Sequence, residues 1–132
     1  MTYLEFTKEE LASEEWRDVA GYNGLYKVSN LGRIHSVRAN RLLKPNPQRR
    51  KDRKQGYLYT FFSDSGHRKR PVVHRIVAKA VLGPCPTGYQ VNNIDGDKHN
   101  NRATNLEYVT GSQNMRHSYK VLGQQPTRLL GE

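Results

Sequence analysis

The chain is short of most of what props up a small protein from outside its core. Only one of its 132 residues is a cysteine, Cys85. That excludes an internal disulfide, and it leaves no Cys-rich zinc cage. Hydrophobic residues make up only 35% of the chain and the mean hydropathy is −0.88, so the core is predicted to be small. No apolar run approaches the ~20 residues of a membrane span. The opening Met1-Thr2-Tyr3-Leu4-Glu5 lacks a charged region followed by an apolar one, so no signal peptide is read. These absences predict a cytoplasmic protein without structural zinc. The length suits one compact domain, or two small ones sharing a modest core.

Positive charge is plentiful. The formal net charge is +10. Between Arg33 and Lys79 stand fourteen Lys or Arg against Asp52 and Asp64, so this block alone carries +12 and the rest of the chain is slightly acidic. A block of this density attracts a polyanion, which inside a cell means nucleic acid first. Anionic lipid ranks lower, because no amphipathic apolar face accompanies the charge.

Local signals divide the chain. Thr7-Lys8-Glu9-Glu10 has the form of a capping box and predicts a short helix over about 8–13. Trp16, the only tryptophan, is expected to anchor the core of an N-terminal module. Leu25, Tyr26 and Val28 suggest a strand, Asn30 to Gly32 a turn, and Arg33 to Val37 a second strand. Residues 38–56 are too polar for a core element. Arg49, Arg50, Lys51, Arg53 and Lys54 read as an exposed loop tracking phosphates, or as a tip without specific contacts. Tyr57 to Phe62 is a strand by composition, turned at Ser65-Gly66, with Arg68, Arg70 and Val73 on the returning arm. From His74 the period changes. Ile76, Val77, Ala80 and Val81 fit one helix face, and Gly83, Pro84 and Pro86 end it.

The densest pattern runs from Val91 to Asn114. Val91-Asn92-Asn93-Ile94 reads as a strand end and Asp95-Gly96 as a tight turn. Asn100, Asn101 and Asn105 follow in a loop that folds back on itself through side-chain-to-backbone bonds. Asn105 to Thr110 is a second strand. A helix then begins near Gly111-Ser112, with Ser112 as N-cap, and carries Gln113, Asn114 and His117 on to about Leu122. Gln124 to Glu132 reads as a polar tail.

In order and spacing, Asn92, Asn105 and Asn114, preceded by His74-Arg75-Ile76-Val77-Ala78, resemble the HNH endonucleases of phages and intron-encoded homing elements. Trp16 followed by Gly21 to Ser36 resembles the small DNA-binding motif that often precedes such domains. The resemblance implies an α+β protein, with a β-rich DNA-binding module over about 14–50 and a ββα-metal nuclease domain over about 55–122. It implies one divalent ion, Mg²⁺ or Mn²⁺, held by the amide oxygens of Asn92 and Asn114, with Asn105 holding the loop. It places Ser29, Asn30, Arg33 and Ser36 near DNA.

One position departs. Where the family carries its catalytic histidine, this chain has Asn93. A general base needs a pKa near neutral, and an amide has no usable proton affinity there. The reading is therefore a DNA-nicking endonuclease impaired at its base. The alternative is a DNA-binding module with no hydrolytic role, and a weaker third is an RNA binder. Asn93 is either a deliberate change that spares a host or traps substrate, or the mark of a decayed nuclease; the otherwise intact motif favours the first. Among the other histidines, His99 is expected to be exposed, His74 to be structural or to touch phosphate, and His117 to give an outer metal or phosphate contact. Arg68, Arg70 and Arg75 join the expected DNA contacts. The partner is double-stranded DNA, with no membrane, and the chain is a monomer or weak dimer. Phage origin and a bacterial cytoplasm complete the expectation.

Overall fold

A computed structural model describes residues 5–113 and 115. The first helix, α1 (Lys8–Ala12), starts at the capping box. Thr7 Oγ1 accepts from the Glu10 amide, and Glu10 Oε1 accepts from the Thr7 amide, both at 3.0 Å. Four short strands then form an antiparallel sheet in chain order: β1 (Trp16–Asp18), β2 (Tyr26–Ser29), β3 (Ile34–Ser36) and β4 (Arg41–Leu42). The β2–β3 turn is tied by Ser29, whose Oγ accepts from the Leu31 and Arg33 amides.

The aromatic stretch 57–62 is not one strand. It switches partners halfway. β5 (Asn46–Pro47) pairs with β6 (Leu58–Tyr59), and β7 (Phe62–Asp64) pairs with β8 (His67–Lys69). Between them the Thr60 amide bonds Pro71 O at 3.1 Å. The switch lets Leu58 and Phe62 both enter the core, where both are buried.

Helix α2 (Val73–Leu82) follows, then β9 (Tyr89–Asn93) and β10 (Leu106–Thr110), antiparallel to each other. Residues 103–105 form a single 3₁₀ turn leading into β10. Residues 111–113 and 115 are helical. Their cap is Thr110, not Ser112: Thr110 Oγ1 accepts from the Gln113 amide at 3.2 Å, and Gln113 Oε1 accepts from the Thr110 amide at 2.9 Å. Thr-x-x-Gln is a second capping box. The expected continuation to Leu122 and the polar tail lie outside the described residues.

The apolar core draws on both halves of the chain: Tyr26, Val28 and Ile34 from the sheet, Leu58 and Phe62, Val73, Val77 and Ala78 from α2, and Leu106 from β10. Phe62 is its centre, stacked on Tyr26 at 4.1 Å and met edge-on by Tyr22 at 4.8 Å. Two expectations change. On α2 the rows Val73/Val77 and His74/Ala78 are buried, while Ile76, Ala80 and Val81 are only partly so, because the helix is packed against both β2 and the β9–β10 hairpin. Trp16 is 37% exposed. It sits on an edge strand whose sheet already fills the core with Tyr26, Val28 and Ile34. Its ring instead meets His35 edge-on at 6.2 Å and lies 5.6 Å from the Arg33 guanidinium.

Candidate active site

The β9–β10 hairpin pairs Asn92 with Glu107 and Asn93 with Leu106. Successive strand residues point to opposite faces, so the two asparagines diverge. Asn92, 8% exposed, donates from Nδ2 to Glu107 Oε2 at 2.9 Å. Asn93, 4% exposed, turns toward the loop. Its Nδ2 donates to Asn100 O at 2.9 Å and to Asn101 Oδ1 at 3.1 Å. A carbonyl only accepts, so the donor side of this amide is fixed. The opposite atom, Asn93 Oδ1, is buried without a hydrogen-bond partner among the described residues.

The loop after β9 is a closed polar network. Gly96, at φ +80°, lets its amide return to Asn93 O at 2.9 Å. Asn105 works from the other end. Its Oδ1 accepts from the Asp95 amide at 3.1 Å, and its Nδ2 donates to Asp95 Oδ1 and Asn100 O, both at 2.9 Å. Asn100 O thus receives one amide from Asn93 and one from Asn105. Asp95 also accepts from Asn100 Nδ2 and the Asp97 amide, both at 2.8 Å. Burial alone would raise the Asp95 pKa, but these donors together hold it below the ordinary carboxylate value.

Three other segments hold this loop from outside. Arg102 donates to Glu10 on α1 (Nε–Oε2 2.5 Å), to Glu5 O at 3.0 Å and to Asn100 Oδ1 at 3.1 Å, with Phe6 against its guanidinium at 4.8 Å. The hydrogen bond from Arg102 lowers the Glu10 pKa. From the β2–β3 turn, Asn30 O accepts the Ala103 amide at 2.8 Å, and Gly32 packs so closely that an added Cβ would lie 2.8 Å from Asn101 O. Gln55 bonds both Asp97 Oδ1 and the Lys98 amide at 2.9 Å. Sequence reasoning missed Asp95, Arg102 and Glu107 as parts of this site. The visible signal was the Asn-rich loop, which showed that something must satisfy many amides but not which residues would.

Several expected contacts are placed otherwise. Arg33 spends its guanidinium on Glu14, with Nε–Oε2 at 2.8 Å and a second bond from the same fork. That pair raises the Arg33 pKa; for Glu14 burial acts upward, yet the net shift is downward. Asn30 Oδ1 accepts the Glu15 amide at 2.8 Å, and Ser29 and Ser36 are buried. All four make hydrogen bonds within the module. His99 is half-buried, not exposed, and lines a cavity of about 210 Å³ with Phe6, Leu31, Leu58 and Val73. His74 is structural. It is 3% exposed and stacked on Tyr57 at 4.3 Å. Burial, aided by the nearby Arg75 charge, pushes its pKa down to about 4.

The cations of the basic block are largely on the surface. Arg49, Arg50, Lys51, Arg53, Lys54, Arg68, Arg70 and Arg75 are all exposed. Arg50 is paired with Asp52 through both fork nitrogens, at 2.6 and 3.0 Å, which lowers the Asp52 pKa to about 2. Arg70 lies over Tyr59 at 4.3 Å and Arg68 over Phe61 at 5.3 Å. Asn114 and His117 lie outside the described residues. Among the described residues no group of three His, Cys, Asp or Glu is placed to hold a metal. The donor that the hairpin offers a metal is the Asn92 amide oxygen, a hard ligand that suits Mg²⁺ or Mn²⁺, with the Glu107 carboxylate bonded to the same amide.

Comparison with known proteins agrees with this architecture. An HNH endonuclease model matches residues 72–116, and a NUMOD4 motif matches residues 14–62. The chain therefore carries an HNH endonuclease domain with a NUMOD4 motif ahead of it. DNA endonuclease I-HmuI of Bacillus phage SP01 is 37% identical over 101 residues, covering 76% of this chain and 55% of that protein. An uncharacterized HNH endonuclease, L245, of Acanthamoeba polyphaga mimivirus is 40% identical over 100 residues, covering 75% of this chain and 28% of its own length. A solved structure described as DNA binding and cleavage by the HNH homing endonuclease I-HmuI superposes with a TM-score of 0.70 at 35% identity, covering 85% of this chain and 62% of that one. The chain thus spans about half, or less, of the length of these curated relatives. Among the described residues no helix is long and apolar enough to cross a membrane.

Proposed function

We propose that this chain is a divalent-metal-dependent DNA endonuclease of the nicking type, acting on double-stranded DNA in a bacterial host, with its general base replaced by Asn93. The observation that carries the reading is the polarity of the Asn93 amide. Its donor side is held by Asn100 O, and its acceptor Oδ1 is buried without a partner among the described residues. A neutral imidazole has the same pattern, one N–H donor and one acceptor nitrogen. In its place the Asn100 carbonyl would fix the tautomer and aim the second nitrogen at the attacking water.

Asn92, with Asn114, would hold the ion through amide oxygens. When bound, the ion would supply stabilisation of the negative charge that develops at the phosphate and on the leaving 3′ oxygen. Asn105 and Asp95 keep the loop closed, so that Asn100 O stays in place. The residues over 14–50 and the exposed cations of 49–54, 68, 70 and 75 would hold the duplex. Within that module Arg33 is held by Glu14, and Asn30 Oδ1 accepts the Glu15 amide. With no base at position 93, cleavage should fall by about 10²–10⁴ relative to a histidine.

Since no titratable group among the described residues bonds Asn93, the same observation also favours a second reading, a DNA-binding protein with no hydrolytic role. Supercoiled-plasmid relaxation in Mg²⁺ or Mn²⁺ separates the two. Nicking by N93H, but not by the chain itself, is expected. Binding by both without cutting by either would overturn the nuclease reading.

A further inference from the structure

The two amide oxygens assigned to the ion are both neutral, and such a pair alone gives a weak site. The hairpin register places a carboxylate directly across from one of them: Glu107 opposite Asn92, with Oε2 taking the Asn92 Nδ2 proton at 2.9 Å. An ionised carboxylate can only accept. Glu107 therefore fixes which end of the Asn92 amide faces it and turns Oδ1 the other way. The bond also polarises the amide, moving electron density toward Oδ1.

From this geometry we propose that Glu107 is a positioning residue of the metal site. It orients the Asn92 oxygen and supplies, through that amide, the negative charge that the neutral ligand pair lacks. This rests on the assignment of Asn92 as a ligand. Outer partners of this kind commonly change metal affinity by about 10–100-fold. A purely structural Glu107 would add a cross-strand bond to the hairpin and nothing more.

The test is Mn²⁺ titration of the ¹⁵N-labelled full chain, read as paramagnetic broadening of backbone amides in β9 and β10. E107Q keeps an acceptor for the hairpin bond but removes the charge. It should need about tenfold more Mn²⁺ for the same broadening. N92A should lose the site-specific broadening. N92D combined with E107Q places the charge on the ligand itself and should restore the midpoint. If E107Q broadens like the parent while N92A does not, the role of Glu107 is only structural and the proposal is overturned. If N92D with E107Q stays as weak as E107Q, the charge argument is wrong. If N92A also broadens like the parent, the ion is not held at Asn92, and the ligand assignment fails before the proposal does.

Discussion

Replacing Gly32 by alanine tests whether the β2–β3 turn seats the Asn-rich loop. Two costs are built into the site. Gly32 has φ +88°, a conformation that costs an L-residue about 1–2 kcal/mol. An added Cβ would also lie 2.8 Å from Asn101 O and 3.0 Å from Asn101 Cβ. Neither is the end of a flexible side chain, so the backbone must shift, at about 1–3 kcal/mol. G32A should therefore lose about 2–5 kcal/mol, much of the stability of a small domain. Gly21 is the control. Its φ is +87° and nothing lies within 4 Å of its Cβ position, so G21A should show only the first cost. Urea unfolding followed by Trp16 fluorescence measures both. Asn101 Oδ1 is an acceptor for Asn93, so in an N93H background G32A should also lower nicking more than G21A does. Equal losses for the two alanines would refute the packing of the turn on the loop.

Other outcomes follow from the same geometry. The His74 pKa is lowered from 6.5 to about 4, so below pH 6.5 the unfolded chain binds a proton that the folded chain refuses. Stability should fall by about 3 kcal/mol between pH 6.5 and 4. H74F, which keeps the stack on Tyr57, should flatten that slope in pH-dependent urea melts; an unchanged slope would reassign it. R102A should release the 95–105 loop, costing about 1–2 kcal/mol of local protection in amide hydrogen exchange, with α2 amides unaffected. Alanines at Arg49, Lys51, Arg53 and Lys54 should lower the log–log salt slope of DNA binding by about 0.9 for each phosphate left without its cation. An unchanged slope would make the loop a bystander.

Short-range signals were legible in the sequence. The Thr7–Glu10 box, the Asp95-Gly96 turn and the helix end at Gly83 each depend on residues a few positions apart. Features that needed the far side of the chain were not legible. Trp16 looked like a core anchor because it is large, but the edge position of β1 decides its exposure. Arg33 stands in a basic block, yet Glu14, nineteen residues back in the acidic segment, takes its Nε and one terminal nitrogen. The loop's brace spans even further, from Arg102 to Glu10. The asparagines stood out by their order, whereas Glu107 became visible only through the register that sets it opposite Asn92.

The origin of Asn93 is open to one combined measurement on N93H. Histidine is larger than asparagine, and position 93 is only 4% exposed. If the pocket has closed around an amide, adding an imidazole overpacks it, at about 1–3 kcal/mol. If the pocket still has the shape of a histidine site, N93H fits at little cost, and the Oδ1 acceptor, unpartnered among the described residues, becomes a ring nitrogen. A working base must be neutral, so nicking should rise about tenfold per pH unit below the imidazole pKa and level off above it. Desolvation at a buried position moves that pKa downward from 6.5, so the plateau should be reached by about pH 7. A stable N93H with this profile describes an intact active site carrying one substitution. A destabilised N93H that binds plasmid without nicking it describes a chain that has repacked around DNA binding alone. A stable N93H whose nicking does not change with pH would show that the base is another group and that position 93 serves only the loop.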